Sequence, residues 1–245
     1  MDETRIDLKT AKERGILITY NPGINSDSVA ELTILLALAI LRKLLIINKC
    51  IKLGNWGDAQ SKIGIQISGK KWGVIGFGNV GIRVAKIAFS MGCQVYAYDP
   101  YIADSTIRNR GVEPMSLKDL INECDIVSIH VPLLESTKHL IGEKELKLMK
   151  KDAVLINVSR GGIIDDIALY EAVKSGNLLG AGLDTLEDEP IHADNPLLSL
   201  ENVVLTAHIG GSTHESMIKG SELAVEEVLR LLNGEQLKSQ YSYKR

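Results

Sequence analysis

Aromatic residues make up only 4% of this 245-residue chain, and no basic surplus compensates, since the net charge is −3 with both signs interspersed. Base-stacking platforms and cationic stripes are therefore excluded, and no nucleic-acid partner is expected. Nor is there an acidic tract of the kind that keeps a chain unfolded. Cysteine is scarce as well. Cys50, Cys93 and Cys124 are far apart and odd in number, which argues against a disulfide framework. Without a Cys-x-x-Cys pair, no metal site is read. The three thiols are expected to be small buried residues of a cytoplasmic protein. Long apolar runs are also missing. Residues 32–41 are uncharged, but Arg42 and Lys43 follow, and ten residues cover only about 15 Å of helix. No membrane span is expected, and the polar start through Arg5 lacks the form of a signal peptide.

What the chain has is 45% hydrophobic residues, enough for a substantial core. Residues 15–20 read as a short buried strand closed by Asn21-Pro22-Gly23. Ser28-Val-Ala-Glu31 has the form of a capping box and opens one long helix over 28–53, apolar nearly all round and stopped by the Gly54-Asn-Trp-Gly57 turn. From Lys71 onward short apolar runs alternate with helical stretches. Strands are expected at 72–75, 94–98, 126–130, 153–158, 179–183 and 203–206, with helices at 80–91, 116–121, 143–149 and 167–175. Apolar strands without alternation suit a parallel sheet covered on both faces, which gives an α/β, Rossmann-type doubly wound fold. A last helix, 212–232, opens on another box, Ser212-x-x-Glu215, and the polar tail 236–245 is expected to be loose.

The first strand runs into Gly76-Phe77-Gly78-Asn79-Val80-Gly81 and then a helical pattern. The first glycine permits a tight turn, the second admits backbone to a pyrophosphate, and the third lets helix pack on strand. The helix start adds N–H groups and a partial positive charge. The next strand ends at Asp99, eighteen residues past Gly81, where a carboxylate can accept from the ribose hydroxyls. Pro100 and Tyr101 follow, without an adjacent cation for a 2′-phosphate, so the expected cofactor is NAD rather than NADP.

Further on, a cluster of carboxylates (Asp184, Glu187, Asp188, Glu189) precedes His208, and one of them can support its imidazole as an acid/base pair. Arg160 stands before a Gly-Gly turn. His130, before Val131-Pro132, reads as structural, while His139, His192 and His214 read as solvated and Glu187 and Asp188 as loop charges.

The glycine loop, Tyr98-Asp99-Pro100, His130-Val131-Pro132, Asn157-Val158-Ser159-Arg160-Gly161-Gly162-Ile-Ile-Asp165, Leu183-Asp184, Glu189-Pro190 and His208-Ile-Gly210-Gly211-Ser-Thr213 occur in that order. Together they resemble the D-isomer-specific 2-hydroxyacid dehydrogenase family over residues 6–232. Within it, the Ser28-Val-Ala-Glu31 and His208–Thr213 motifs are most similar to those of the phosphoglycerate dehydrogenases. The resemblance implies that Arg160 grips the substrate carboxylate, that Glu189 pairs with the catalytic His208, and that Asp184 meets the nicotinamide end of the cofactor. It places Asn79, Val80, Asp99, Pro100, Val131, Pro132, Val158, Arg160, His208, Gly210 and Gly211 beside the glycines as cofactor contacts.

It also implies a division of the chain. Residues 1–26 correspond to a remnant of a flavodoxin-like substrate domain, 27–211 to the NAD-binding domain, and 212–245 to a helix returning to the substrate domain. About seventy residues that precede this point in the family are absent, and with them the expected wall opposite His208. Ala207 replaces a proline common in relatives. The activity implied is NAD-dependent oxidation of a D-2-hydroxy acid, first of all 3-phospho-D-glycerate to 3-phosphohydroxypyruvate in serine synthesis. The alternatives are a glyoxylate or hydroxypyruvate reductase, an NAD(H)-sensing binding protein, or an inactive truncated homologue. A homodimer through helix 28–53 is the expected partner state. Oxidation is expected to favour alkaline pH and reduction acidic pH.

Overall fold

A computed structural model describes residues 6–241; the polar start through Arg5 and the tail end at 242–245 lie outside them. The chain divides into two compact units, Ser26–Gly210 and a second built from Met1–Asn25 with Gly211–Arg245.

The larger unit is a seven-stranded sheet in the order β3-β2-β1-β4-β5-β6-β7. Its strands are β1 (Lys71–Ile75), β2 (Gln94–Tyr98), β3 (Glu113–Pro114), β4 (Ile126–Ile129), β5 (Val154–Asn157), β6 (Gly180–Leu183) and β7 (Val203–Leu205). All six pairings are parallel. The α/β doubly wound expectation therefore holds. Ile75 stands level with Tyr98 and Ile129, Ile129 with Asn157, Asn157 with Leu183, and Leu183 with Leu205. Six strands thus end along one edge, with the order reversing between β1 and β4. That crevice is where open α/β sheets bind ligands.

Covering helices follow from the apolar character of both sheet faces. Helices of this unit are α2 (Ser26–Leu41), α3 (Leu44–Lys52), α4 (Trp56–Ser61), α5 (Asn79–Ser90), α6 (Asp104–Arg108), α7 (Leu117–Glu123), α8 (Glu143–Leu148) and α9 (Asp166–Lys174). Trp72, Val74, Ile126 and Ile156 pack with α2 and α5, whereas Ile75, Val127, Ile129 and Leu155 pack with α7, α8 and α9. Alternate residues of each strand thus enter opposite cores, and each fully buried side chain contributes roughly 1.5–3 kcal/mol.

The single helix expected over 28–53 is corrected by the structure. It starts two residues earlier, at Ser26, so Ser28 is not its cap, and it breaks after Leu41. Lys43 takes left-handed backbone, φ 51°, which a continuing helix cannot accommodate, and α3 restarts beyond it. The two parts differ in burial. Ten residues of α2 are buried and none of α3 is, so the all-round burial expected of this segment stops at the Arg42-Lys43 step. Beyond the expected turn at Gly54, the short α4 forms where none was read. Short α6, β3 and a 3-10 turn at Pro196–Ser199 were likewise not foreseen. No helix among the described residues is long and apolar enough to cross a membrane.

In the smaller unit, α1 (Leu8–Glu13) is capped by Asp7, which accepts from Thr10 N at 2.9 Å. Helix α10 (His214–Leu232) is capped by Thr213 rather than by Ser212. The strand read at 15–20 reduces to an isolated antiparallel bridge, Thr19 to Gln240. Tyr20 N donates to Ser239 O at 3.1 Å and Tyr241 N to Ile18 O at 2.8 Å. The tail through Tyr241 is therefore fastened, contrary to the loose end expected. The reason is Glu227, 5% exposed, whose carboxylate accepts from Lys238 N at 3.1 Å and Ser239 N at 3.4 Å.

Candidate active site

All the candidate residues of the larger unit lie just past a strand's C-terminal end. Gly76 follows β1 with φ +91°, and a side chain there would meet His130 O at 2.8 Å. A Cβ at Gly81 would stand 2.1 Å from Gly76 O, so glycine alone lets α5 start this close to the strand. Gly78 differs: nothing lies within 4 Å of its missing Cβ, and it is the N-cap of α5. No side chain among the described residues caps α5, which leaves the N–H groups of Asn79, Val80 and Gly81 for a ligand. An open, side-chain-free cradle at a helix N-terminus fits a pyrophosphate.

Asp99, past β2, holds the loop while staying beside it. Its Oδ2 accepts from Phe77 N at 2.8 Å and its Oδ1 from Tyr101 N at 2.9 Å. Each oxygen keeps a second lone pair for a ribose hydroxyl. Next to Asp99 opens a hollow of about 430 Å³ with a mixed lining that includes Pro100, Ile102, Asp104, Met115 and Ser116, of a size suited to an adenine ring. Ile102 and Met115 escaped the sequence reading, although the apolar residues interleaved after Asp99 were a signal for them.

Past β4, His130 Nε2 lies 3.0 Å from Ser128 Oγ, which accepts from the buried Trp72 indole at 2.9 Å. Burial pulls the imidazole down to about 3, so it is neutral, and its buried Nδ1 has no partner among the described residues. Val131 and Pro132 follow it along the crevice, Val131 half-buried and Pro132 exposed.

Past β5, Val158 is buried and Asn157 shapes the turn. Asn157 Nδ2 donates to Arg160 O at 2.8 Å, and Asn157 Oδ1 accepts from Ser159 Oγ at 2.8 Å. The Arg160 guanidinium donates to Ser159 O at 2.6 Å and is half-buried. A Cβ at Gly161 would lie 1.7 Å from Leu186 O, so this turn and the 186–189 loop touch backbone to backbone.

Past β6, Asp184 is 2% exposed and receives three hydrogen bonds, from Thr206 Oγ1 at 2.6 Å and from Ile209 N and Gly210 N at 2.8 Å. It thereby ties the end of β6 to the turn carrying His208, whose backbone is left-handed at φ 55°. Left-handed backbone at a non-glycine residue costs free energy that the surrounding bonds must offset. His208 Nδ1 stands 2.8 Å from Glu189 Oε2, while Glu189 Oε1 accepts from Leu186 N at 3.2 Å. Of the carboxylates that precede His208, Glu189 is thus the one facing the imidazole. Gly211 falls in the other unit, where it abuts Asn25.

His139 and Glu187 are exposed, as read, and they meet each other at the surface, His139 Nε2 lying 3.2 Å from Glu187 Oε1.

The sequence profile of the NAD binding domain of D-isomer specific 2-hydroxyacid dehydrogenases matches residues 34–210. A D-3-phosphoglycerate dehydrogenase of Methanocaldococcus jannaschii is 42% identical over 231 residues, covering 94% of this chain and 44% of that protein. A glyoxylate reductase of Korarchaeum cryptofilum is 39% identical over 94% of this chain and 70% of its own length. This chain thus spans about half of the first relative. Among solved structures, a D-lactate dehydrogenase with NAD+ from Lactobacillus jensenii superposes with a TM-score of 0.89 at 32% identity, over 99% of this chain and 77% of that one. With the glycine cradle, Asp99 and the strand-end residues in place, this chain belongs to the D-isomer specific 2-hydroxyacid dehydrogenases and carries their NAD-binding domain.

Proposed function

We propose that this chain provides the cofactor-binding and proton-transfer half of an NAD-dependent dehydrogenase acting on a D-2-hydroxy acid, with 3-phospho-D-glycerate, at the entry to serine synthesis, as first substrate. The observation that carries the proposal is the 2.8 Å approach of His208 Nδ1 to Glu189 Oε2 along the edge that holds the dinucleotide loop. The carboxylate fixes the Nδ1–H tautomer and leaves Nε2 for the substrate hydroxyl. When bound, NAD(H) accepts or supplies the hydride at substrate C2. Arg160 holds the substrate carboxylate in a two-point fork and so orients C2. In the oxidising direction the hydroxyl proton passes to His208 Nε2, and Glu189 stabilises the imidazolium that results. Oxidation is therefore favoured by alkaline pH and reduction by acidic pH. A second substrate reading, glyoxylate or hydroxypyruvate, is supported by relatives such as the Korarchaeum cryptofilum protein and a Thermotoga maritima hydroxypyruvate reductase, 42% identical.

Residues 1–26 and 212–245 are assigned to the substrate domain, and a homodimer is placed on α2 and α3. There Leu35, Leu44, Leu45 and Leu53 are 48–67% exposed. The free thiols Cys50, Cys93 and Cys124 fit a cytoplasmic setting.

The test follows NADH oxidation with 3-phosphohydroxypyruvate, hydroxypyruvate and glyoxylate, beside an NADH fluorescence titration. Turnover with at least one 2-oxo acid is expected. His208→Ala should lower kcat about 100- to 10,000-fold. Undiminished turnover in His208→Ala would overturn the assignment.

A further inference from the structure

The acid/base pair depends on where the 186–189 loop holds Glu189, and one carboxylate outside the pair grips that loop. Asp166 Oδ2 accepts from Glu187 N at 3.2 Å, two residues before Glu189. Asp166 opens α9, yet the helix has no need of it as a cap. Asp165 already fills that role, its Oδ1 accepting from Ile167 N at 3.1 Å and Ala168 N at 3.0 Å. The Asp166 carboxylate instead points away from its own helix to the neighbouring loop. On the loop's other flanks are the Gly161 backbone, packed against Leu186 O, and His139, 3.2 Å from Glu187 Oε1.

The location is electrostatically poor for a carboxylate. Burial, reinforced by Glu187, Asp165 and Asp188, pushes Asp166 up to about 6, and the Glu187 N–H only partly offsets this. Groups held against their own solvation preference concentrate where a site requires them.

Resting on the acid/base reading above, we infer that Asp166 is a positioning residue, its acceptor oxygen holding Glu187 N so that Glu189 stays in register with His208 Nδ1. It touches neither substrate nor cofactor and acts only through the loop. Three contacts set where Glu189 sits: Leu186 N on Glu189 Oε1, Leu186 O against the Gly161 backbone, and Glu187 N on Asp166 Oδ2. Without Asp166, the middle of that chain of contacts loses its acceptor.

The readout is the tautomer of neutral His208, followed by 15N NMR of histidine-labelled protein at alkaline pH. A histidine without a carboxylate partner favours Nε2–H in water, whereas the bond to Glu189 imposes Nδ1–H. Wild type should show Nδ1–H and Glu189→Ala should lose it. Asp166→Ala should move partway toward Nε2–H and lower kcat for 2-oxo acid reduction about 10- to 100-fold. Asp166→Asn, whose amide oxygen still accepts from Glu187 N, should restore the wild-type tautomer. Should Asp166→Ala not fold, Asp166→Ser, too short to reach Glu187 N, replaces it with the same expectation.

Nδ1–H undiminished in Asp166→Ala or Asp166→Ser, while Glu189→Ala loses it, overturns the positioning role and leaves the acid/base pair standing. A tautomer unchanged in Glu189→Ala overturns the pair and the positioning role together. A loss in Asp166→Asn as large as in Asp166→Ala also overturns the role, because the acceptor would then be irrelevant.

Discussion

The glycine loop and the His208–Glu189 corner lie on the same edge of one sheet, but they are made from different materials. The loop is backbone: Gly76, Gly78 and Gly81 leave a cradle of N–H groups, and one side chain, Asp99, steadies it through Phe77 N. The corner is side chains: Glu189 on His208, Asp184 on the turn behind it, Asp166 on the loop in front. A backbone cradle is indifferent to pH and intolerant of added atoms. A corner held by carboxylates and an imidazole depends on charge as well as on shape.

The largest effect should come from breaking the cradle. In Gly81→Ala the new Cβ would lie 2.1 Å from Gly76 O, a backbone atom that cannot swing aside. We expect NADH binding in a fluorescence titration to weaken by at least about 100-fold. Stability should fall by about 1–3 kcal/mol in denaturant melts, as overpacking generally costs. The His208 tautomer should stay as in wild type, because no bond of the corner runs through Gly81. Retention of NADH affinity would remove the cradle from the account.

Gly161→Ala breaks the comparison from the other side. Its Cβ would overlap Leu186 O at 1.7 Å, so the Arg160 turn and the Glu189 loop must part. A displacement of about 1 Å at a reacting group can cost about 100-fold in rate. We expect kcat to fall by that order with NADH affinity within a few-fold of wild type. Equal losses in both would show that the two regions are mechanically one.

How far each region was legible in the sequence follows the same division. Gly76 and Gly81 were readable because steric need forces glycine there, and Gly78 and Asp99 stand at fixed spacings from them. Six strands of the sheet were readable too, 94–98 as observed and the other five within a residue, since burial on both faces leaves continuous apolar runs, whereas β3 was missed and the strand read at 15–20 is only a bridge. The break at Lys43 was missed because composition around it stays apolar, and only two adjacent charges mark the left-handed turn. Helices α4 and α6 are too short for periodicity to register. In the corner, spacing alone cannot tell which carboxylate folds back on His208, and Glu189 was named only through the resemblance of Glu189-Pro190 to the family's motif. Asp166 and His139 reach Glu187 across 21 and 48 residues of chain, contacts that no local pattern encodes.

The smallest effect separates the two regions by pH. Asp166 is raised from an ordinary 3.8 to about 6 in the fold, so the unfolded chain ionises first. Its penalty is absent below about pH 4, grows as pH rises through 6, and is constant above. Asp166→Asn cannot ionise and should therefore melt higher than wild type at pH 8, with the gain vanishing by pH 4. Half-burial and solvent screening keep the gain to about 1 kcal/mol, or roughly 2–4 °C in Tm for a chain of this size. His130 works in the opposite direction. Its imidazole is pulled from 6.5 to about 3, so its contribution is complete above pH 6.5 and declines as pH falls toward 3. That decline is common to both proteins and cancels in the difference between wild type and Asp166→Asn, which isolates Asp166. Gly81→Ala, lacking any titrating change, should show the same loss of Tm at pH 5 and pH 8. If the Asp166→Asn difference is equally flat across that range, the carboxylate is not held out of water, and the corner is less distinct from the cradle than its hydrogen bonds make it.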